Sequence, residues 1–169
     1  MDNRFTVAIL VNNQFGVLNR VTSMFRRRQF NISALTVSET ESAKYSRITV
    51  LSEGDEISKQ QLINQLYKLP DVCSIVELNP AETVSRELLL VKVANSGETR
   101  NDVRAAVDAF EGKIVDYTRE TTMIQMVGDS RKIDAFIDLL RDFEILEICR
   151  TGAASLERGN TTIRKVTNL

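Results

Sequence analysis

The sequence predicts an α+β protein made of two small sandwiches in tandem, each an antiparallel sheet with two helices on one face. Three observations lead there. Runs with apolar residues at every second position are interleaved with runs whose apolar residues fall at i, i+3, i+4 and i+7. Their order is strand, helix, strand, strand, helix, strand, and it occurs twice along 169 residues. Hydrophobic residues make up 43% of the chain, enough for two modest cores. This order builds the ferredoxin-like βαββαβ unit. The expected domains are residues 1–79 and 80–169, with a flexible tail from about residue 160.

Taken in order, residues 6–11 alternate as a first strand, and the helix after Gly16 sets Val17, Leu18, Val21, Met24 and Phe25 on one face. Arg26, Arg27 and Arg28 fall in its last turn, where cations complement the carbonyl end of the dipole. Residues 30–39 and 46–52 read as a strand pair joined by a polar hairpin link. Ser58 and Gln61 have the spacing of a capping box ahead of Leu62, Ile63, Leu66 and Leu69, and Pro70 stops that helix. Residues 72–78 form a fourth strand, and Asn79-Pro80 with residues 81–85 reads as a boundary.

The second half follows the same plan. Residues 88–93 are a strand, and Thr99 is placed to cap a helix that buries Val103, Ala106, Val107 and Phe110 and ends at Gly112. Residues 113–117 and 122–127 make a hairpin. A helix after Ser130 carries Ile133, Phe136, Ile137 and Leu140, and residues 145–149 supply the last strand. Leu88, Leu89, Leu90 and Val91 are apolar on both faces, so their strand is expected to be covered on both sides.

Composition excludes several functions. The chain has no histidine, which removes the commonest metal ligand and general acid/base. A net charge of −1 argues against a nucleic-acid binder, and residues 48–51 lack the stacking aromatics of an RNA-binding sheet. Glu53, Asp55 and Glu56 lie ahead of a helix, where acidic groups are ordinary, with no His, Cys or Lys partner beside them for catalysis. No apolar run reaches the length of a membrane span or signal peptide, so a cytoplasmic location is expected, with no membrane partner. Cys73 and Cys149 occupy corresponding strands of the two halves and read as buried, reduced thiols.

The candidate site is the stretch Asn12-Asn13-Gln14-Phe15-Gly16-Val17-Leu18 between the first strand and first helix. A glycine opening a helix leaves backbone N–H groups free for a carboxylate or phosphate, and Asn13 adds an amide with donors and an acceptor. The same residues also suit an ordinary strand-to-helix turn. In the predicted topology the second strand lies at a sheet edge, and its Ile32, Leu35 and Val37 come with no interior Lys or Pro to block pairing. A homodimer joined edge to edge follows, bringing Asn31 of one subunit near the Gly16 loop of the other. A free amino acid suits such a site. Its carboxylate needs the helix-start donors, its ammonium needs acceptors such as Asn13 or Asn31, and Leu18 and Ile32 favour an aliphatic side chain.

These residues carry a family resemblance. The run from Asn13 to Val21, the run from Phe30 to Val37, Ser46-Arg47, the run from Glu87 to Val93, Arg150-Thr151-Gly152 and Arg158-Gly159 stand in the order seen in the small regulatory subunits of acetolactate synthase, also called acetohydroxyacid synthase. The first half resembles an ACT domain. The resemblance implies a chain with no catalytic residues, cofactor or metal of its own. Its expected partner is a catalytic large subunit that uses thiamine diphosphate, Mg2+ and FAD, which it would activate and place under feedback inhibition by valine. By position the family's effector residues fall on Asn13, Gly16 and Asn31, with the backbone of Gly16, Val17 and Leu18 and with Ser38 nearby; Ile32 is the aliphatic neighbour beside Asn31. The alternative is an ACT-type amino-acid sensor that regulates a different enzyme.

Overall fold

The computed structural model describes residues 4–97 and 99–164. The first four elements are β1 (Arg4–Asn12), α1 (Val17–Arg27), β2 (Ile32–Glu39) and β3 (Tyr45–Glu53). Next come α2 (Glu56–Leu66), β4 (Val72–Glu77), β5 (Thr83–Ala94), α3 (Arg100–Ala109) and β6 (Lys113–Tyr117). The chain continues through β7 (Thr121–Gly128), α4 (Ser130–Leu140), β8 (Ile145–Arg150) and β9 (Ala154–Glu157). The first sheet has the order β2-β3-β1-β4, the second β6-β7-β5-β8, and β9 pairs with β5. Both sheets are antiparallel along these paths. The tandem ferredoxin-like α+β architecture read from the sequence is therefore present.

Period-two burial builds each core. In the first sheet Val7, Ile9 and Val11 of β1 and Ile48 and Val50 of β3 face the helices, which supply Val17, Val21, Phe25, Leu62 and Leu66. In the second, Leu89, Val91 and Val93 meet Val103, Val107, Ile133, Phe136 and Leu140. Leu88 and Leu90 are only half-buried, so the strand expected to be covered on both sides is sealed on its helix face alone. Cys149 pairs with Leu90 on that same uncovered face of an edge strand and is exposed, contrary to expectation. Cys73 is half-buried, and that burial pushes its thiol up from the ordinary value.

Helix starts differ from the sequence reading in which side chain does the capping. Asp55, not Ser58, caps α2, its carboxylate accepting from the Ser58 N–H at 2.7 Å. An Asp there meets both the free N–H groups and the positive end of the dipole. Asp129 caps α4 in the same way, accepting from Lys132 N–H at 2.8 Å. Thr99 makes no side-chain cap for α3; instead its own N–H donates to Ser96 Oγ at 3.2 Å.

The compact units are residues 1–84 with 152–169, and residues 85–151. The sequence reading instead divides the chain after residue 79 and keeps residues 152–169 in the second half. After β8 the chain returns to the first sheet and lies on the face away from its helices. Ile163 packs with Ala8, Leu10 and Leu78 there, so β1 is buried on both sides. Arg47 of β3 donates to the Ser155 carbonyl at 2.8 Å, and burial pulls its guanidinium below the ordinary value despite the opposing pull of Glu157. Arg164 reaches Glu41 at 2.9 Å and lies over the Tyr45 ring. Within the tail expected to be flexible from about residue 160, Ile163 and Arg164 thus have partners on the first sheet, residues 160–162 are exposed, and residues 165–169 lie outside the described residues.

Candidate effector-binding site

The loop between β1 and α1 is held by the first sheet's own hairpin. Asn13 N–H donates to the Lys44 carbonyl at 2.8 Å. Both donors of its side-chain amide are used as well, one to Glu39 Oε1 at 2.9 Å and one to the Ala43 carbonyl at 3.1 Å. Asn13 therefore fixes the loop against the end of β2, and what it offers a ligand is its amide oxygen. Gly16 follows in the left-handed region at φ 79°, a conformation costly for a residue with a side chain. A Cβ there would meet the Arg20 guanidinium at 3.4 Å. That guanidinium is already bound to Asp71, through Nε at 2.8 Å and Nη2 at 2.7 Å.

The helix start is partly spent. Val17 N–H donates to the Gln14 carbonyl at 3.3 Å and its side chain is in the core. Among the described residues the N–H groups of Leu18 and Asn19 have no acceptor within the chain. Leu18, expected on the core face, is 40% exposed, and Phe15 stands fully in solvent. An anion would meet those two N–H groups at the positive end of α1.

Asn31 and Ile32 are elsewhere. They line an open groove of about 460 Å³ together with Thr22, Phe25, Arg26, Gln29 and Phe30, at the end of α1 farthest from Gly16. The helix has 11 residues, so the two ends stand roughly 16 Å apart. Asn31 is held by its carbonyl, which accepts from Ser52 Oγ at 2.6 Å, and its side chain is exposed. Ser38 joins neither half. It pairs with Arg47, whose guanidinium lies under the returning C-terminal stretch, so its side chain points to the face away from the helices. The sequence-predicted residues thus fall into two groups, Asn13 with Gly16, Val17 and Leu18 at one end of β2, and Asn31 with Ile32 at the other.

Sequence reasoning missed Glu39, which is tied to Asn13 across 26 positions, and the groove residues Thr22, Arg26 and Gln29. Sheet pairing brings Glu39 to Asn13, whereas the groove is built within residues 22–32, where the last turns of α1 run straight into β2. Among the described residues no group of three or more His, Cys, Asp or Glu is placed to hold a metal ion. No helix among the described residues is long and apolar enough to cross a membrane.

Comparison with known proteins places this geometry in a family. A family model described as the AHAS small subunit-like ACT domain matches residues 7–74, and one described as the small subunit of acetolactate synthase matches residues 86–159. A probable acetolactate synthase small subunit from Methanothermobacter thermautotrophicus is 42% identical over 158 residues, which are 93% of this chain and 94% of that protein. The chain belongs to the acetolactate synthase small subunits. The isozyme 3 small subunit of Escherichia coli is 38% identical to it over 95% of this chain and 99% of its own length. The crystal structure of the small subunit from Thermotoga maritima is similar with a TM-score of 0.85 at 37% identity, covering 94% of this chain and 99% of that one. Both groups of residues lie inside the segment of this small subunit that matches the ACT model.

Proposed function

We propose that this small subunit binds and activates the catalytic large subunit of acetolactate synthase and confers feedback inhibition by valine. Its partner would carry the thiamine diphosphate, Mg2+ and FAD, while this chain supplies regulation alone. One observation carries the effector reading: residues suited to a free amino acid stand at opposite ends of one edge strand. A second copy paired antiparallel along β2 would bring one end of each subunit to the other end of its partner. The homodimer, joined through its ACT domains, then completes two equivalent sites.

A ligand held between two subunits acts by binding one dimer arrangement better than another, with coupling typically of about 1 to 3 kcal/mol. Calorimetric titration with L-valine, with L-isoleucine, L-leucine and D-valine for comparison, tests the reading. A saturable, stereoselective site is expected. Absence of heat with all four, both for the isolated chain and for the complex reconstituted with its catalytic subunit, overturns it.

A further inference from the structure

Two charged side chains of the first unit take complementary places, and among the described residues neither has an oppositely charged partner. Arg26, in the last turn of α1, lines the groove beside Asn31 and Ile32, and no carboxylate lines that groove. Among the described residues Arg26 forms no ion pair. Glu39 ends β2 and accepts from Asn13 Nδ2 through Oε1, and no cation in the chain pairs with it among the described residues. Glu39 pairs with Ser46, which pairs with Val11 of the helix-side core, so Glu39 points to the face that carries α1.

Within one chain these groups cannot meet. β2 has eight residues, and Asn31 and Glu39 stand roughly 26 Å apart along it. An antiparallel pairing of two β2 strands about Leu35 changes that, since it sets Asn31 opposite the partner's Glu39. The groove that Arg26 lines then faces the loop that Glu39 and Asn13 hold.

We propose that Arg26 of one subunit and Glu39 of the other read the two charges of the effector amino acid. This rests on the between-subunit site proposed above. The Arg26 guanidinium meets the carboxylate, with the free N–H groups of Leu18 and Asn19 at the facing helix start as further donors; a planar fork of N–H groups matches a carboxylate bidentately. The Glu39 carboxylate takes the ammonium, with the Asn13 amide oxygen as a second acceptor. The residues lining the groove include no carboxylate for the ammonium, and Asn13, Gly16, Val17, Leu18 and Glu39 include no cation for the carboxylate, so strong zwitterion binding is conditional on the dimer.

The test titrates the full-length protein and its R26Q, R26K and E39Q variants with L-valine, with 3-methylbutanoate, which lacks the ammonium, and with 2-methylpropan-1-amine, which lacks the carboxylate. R26Q is expected to weaken valine binding by about tenfold or more, with R26K recovering part of it. E39Q is expected to weaken valine comparably and to erase the wild-type preference for valine over 3-methylbutanoate. Valine affinity within about twofold of wild type in both glutamine variants overturns the proposal while leaving the between-subunit reading intact. A wild type that binds no amino acid, alone or with its catalytic partner, overturns both. If the variants sediment as monomers and regain wild-type affinity and selectivity once concentration restores the dimer, the pair is an interface contact and the proposal fails.

Discussion

At the scale of single residues, the strongest commitments lie where a charge is buried. Glu87 is 6% exposed on the helix side of β5, where it receives Arg150 Nε at 2.5 Å and Ser130 Oγ. Arg150 also holds Asp134 at 2.6 Å; burial works to lower its guanidinium, but Glu87 and Asp134 raise it on balance. Removing Arg150 strands a buried carboxylate, so R150A is expected to destabilise the second unit by about 3 to 5 kcal/mol, whereas E87Q keeps a hydrogen-bonding group in place and costs less. Urea unfolding of both variants at neutral pH checks the order; midpoints equal to wild type in both would show the pair to be dispensable. Gly16 is a different kind of commitment. G16D places a side chain at φ 79°, at a strain of about 1 to 2 kcal/mol, and sets a carboxylate beside the Arg20 guanidinium and against the carboxylate of the proposed effector. Valine inhibition of the reconstituted complex is expected to disappear while activation of the catalytic subunit survives. Retained valine inhibition would place the effector elsewhere.

At the scale of elements, caps and coverings decide what periodicity alone does not. Asp55 is held below the usual carboxylate range chiefly by the Ser58 N–H, then by the Ser58 hydroxyl. A carboxyl lowered in the folded state stabilises above its unfolded value, and that contribution is lost as pH falls through the folded value. D55A is therefore expected to unfold at lower urea than wild type at pH 7, with the gap closing on acidification; a gap independent of pH would show that charge plays no part in the cap. The C-terminal stretch is the element that apolar spacing hid. Its polar residues alternate with few apolar ones, and its partners Ala8, Leu10 and Leu78 are far away in sequence. I163A is expected to cost about 2 kcal/mol and to raise hydrogen exchange along β1, because Ile163 is 9% exposed at the edge of that small cluster. Strand and helix order was legible because alternation and the 3.6-residue period are local. Capping at Asp55 was not, because Asp55 and Ser58 both suit the end of a helix and only geometry selects between them. The exposure of Cys149 was equally hidden, since an apolar strand reads the same whether or not its far face is covered.

At the scale of the whole molecule, the proposed between-subunit site depends on the edge position of β2. Asn13 and Gly16 were legible as a helix-opening turn with free donors, and Asn31 as the start of an edge strand. Their separation by the length of α1 appears only in three dimensions, as does the turning of Ser38 to the opposite face. β2 is an edge strand with Val37 41% exposed on the helix side and no lysine or proline within it. Backbone N–H and C=O groups on such an edge form a template for a second strand, and a charge placed there blocks it. V37K adds a long cation to an already half-exposed position, where the monomer can accommodate it in solvent. The variant is expected to keep a wild-type circular dichroism spectrum and an unfolding transition close to wild type, to sediment as a monomer at concentrations where wild type is a dimer, and to bind no valine. Loss of dimer and of ligand together would tie the site to the paired edges. A V37K protein that remains dimeric would remove the β2 edge as the interface, and one that is monomeric yet binds valine normally would remove the second subunit from the site.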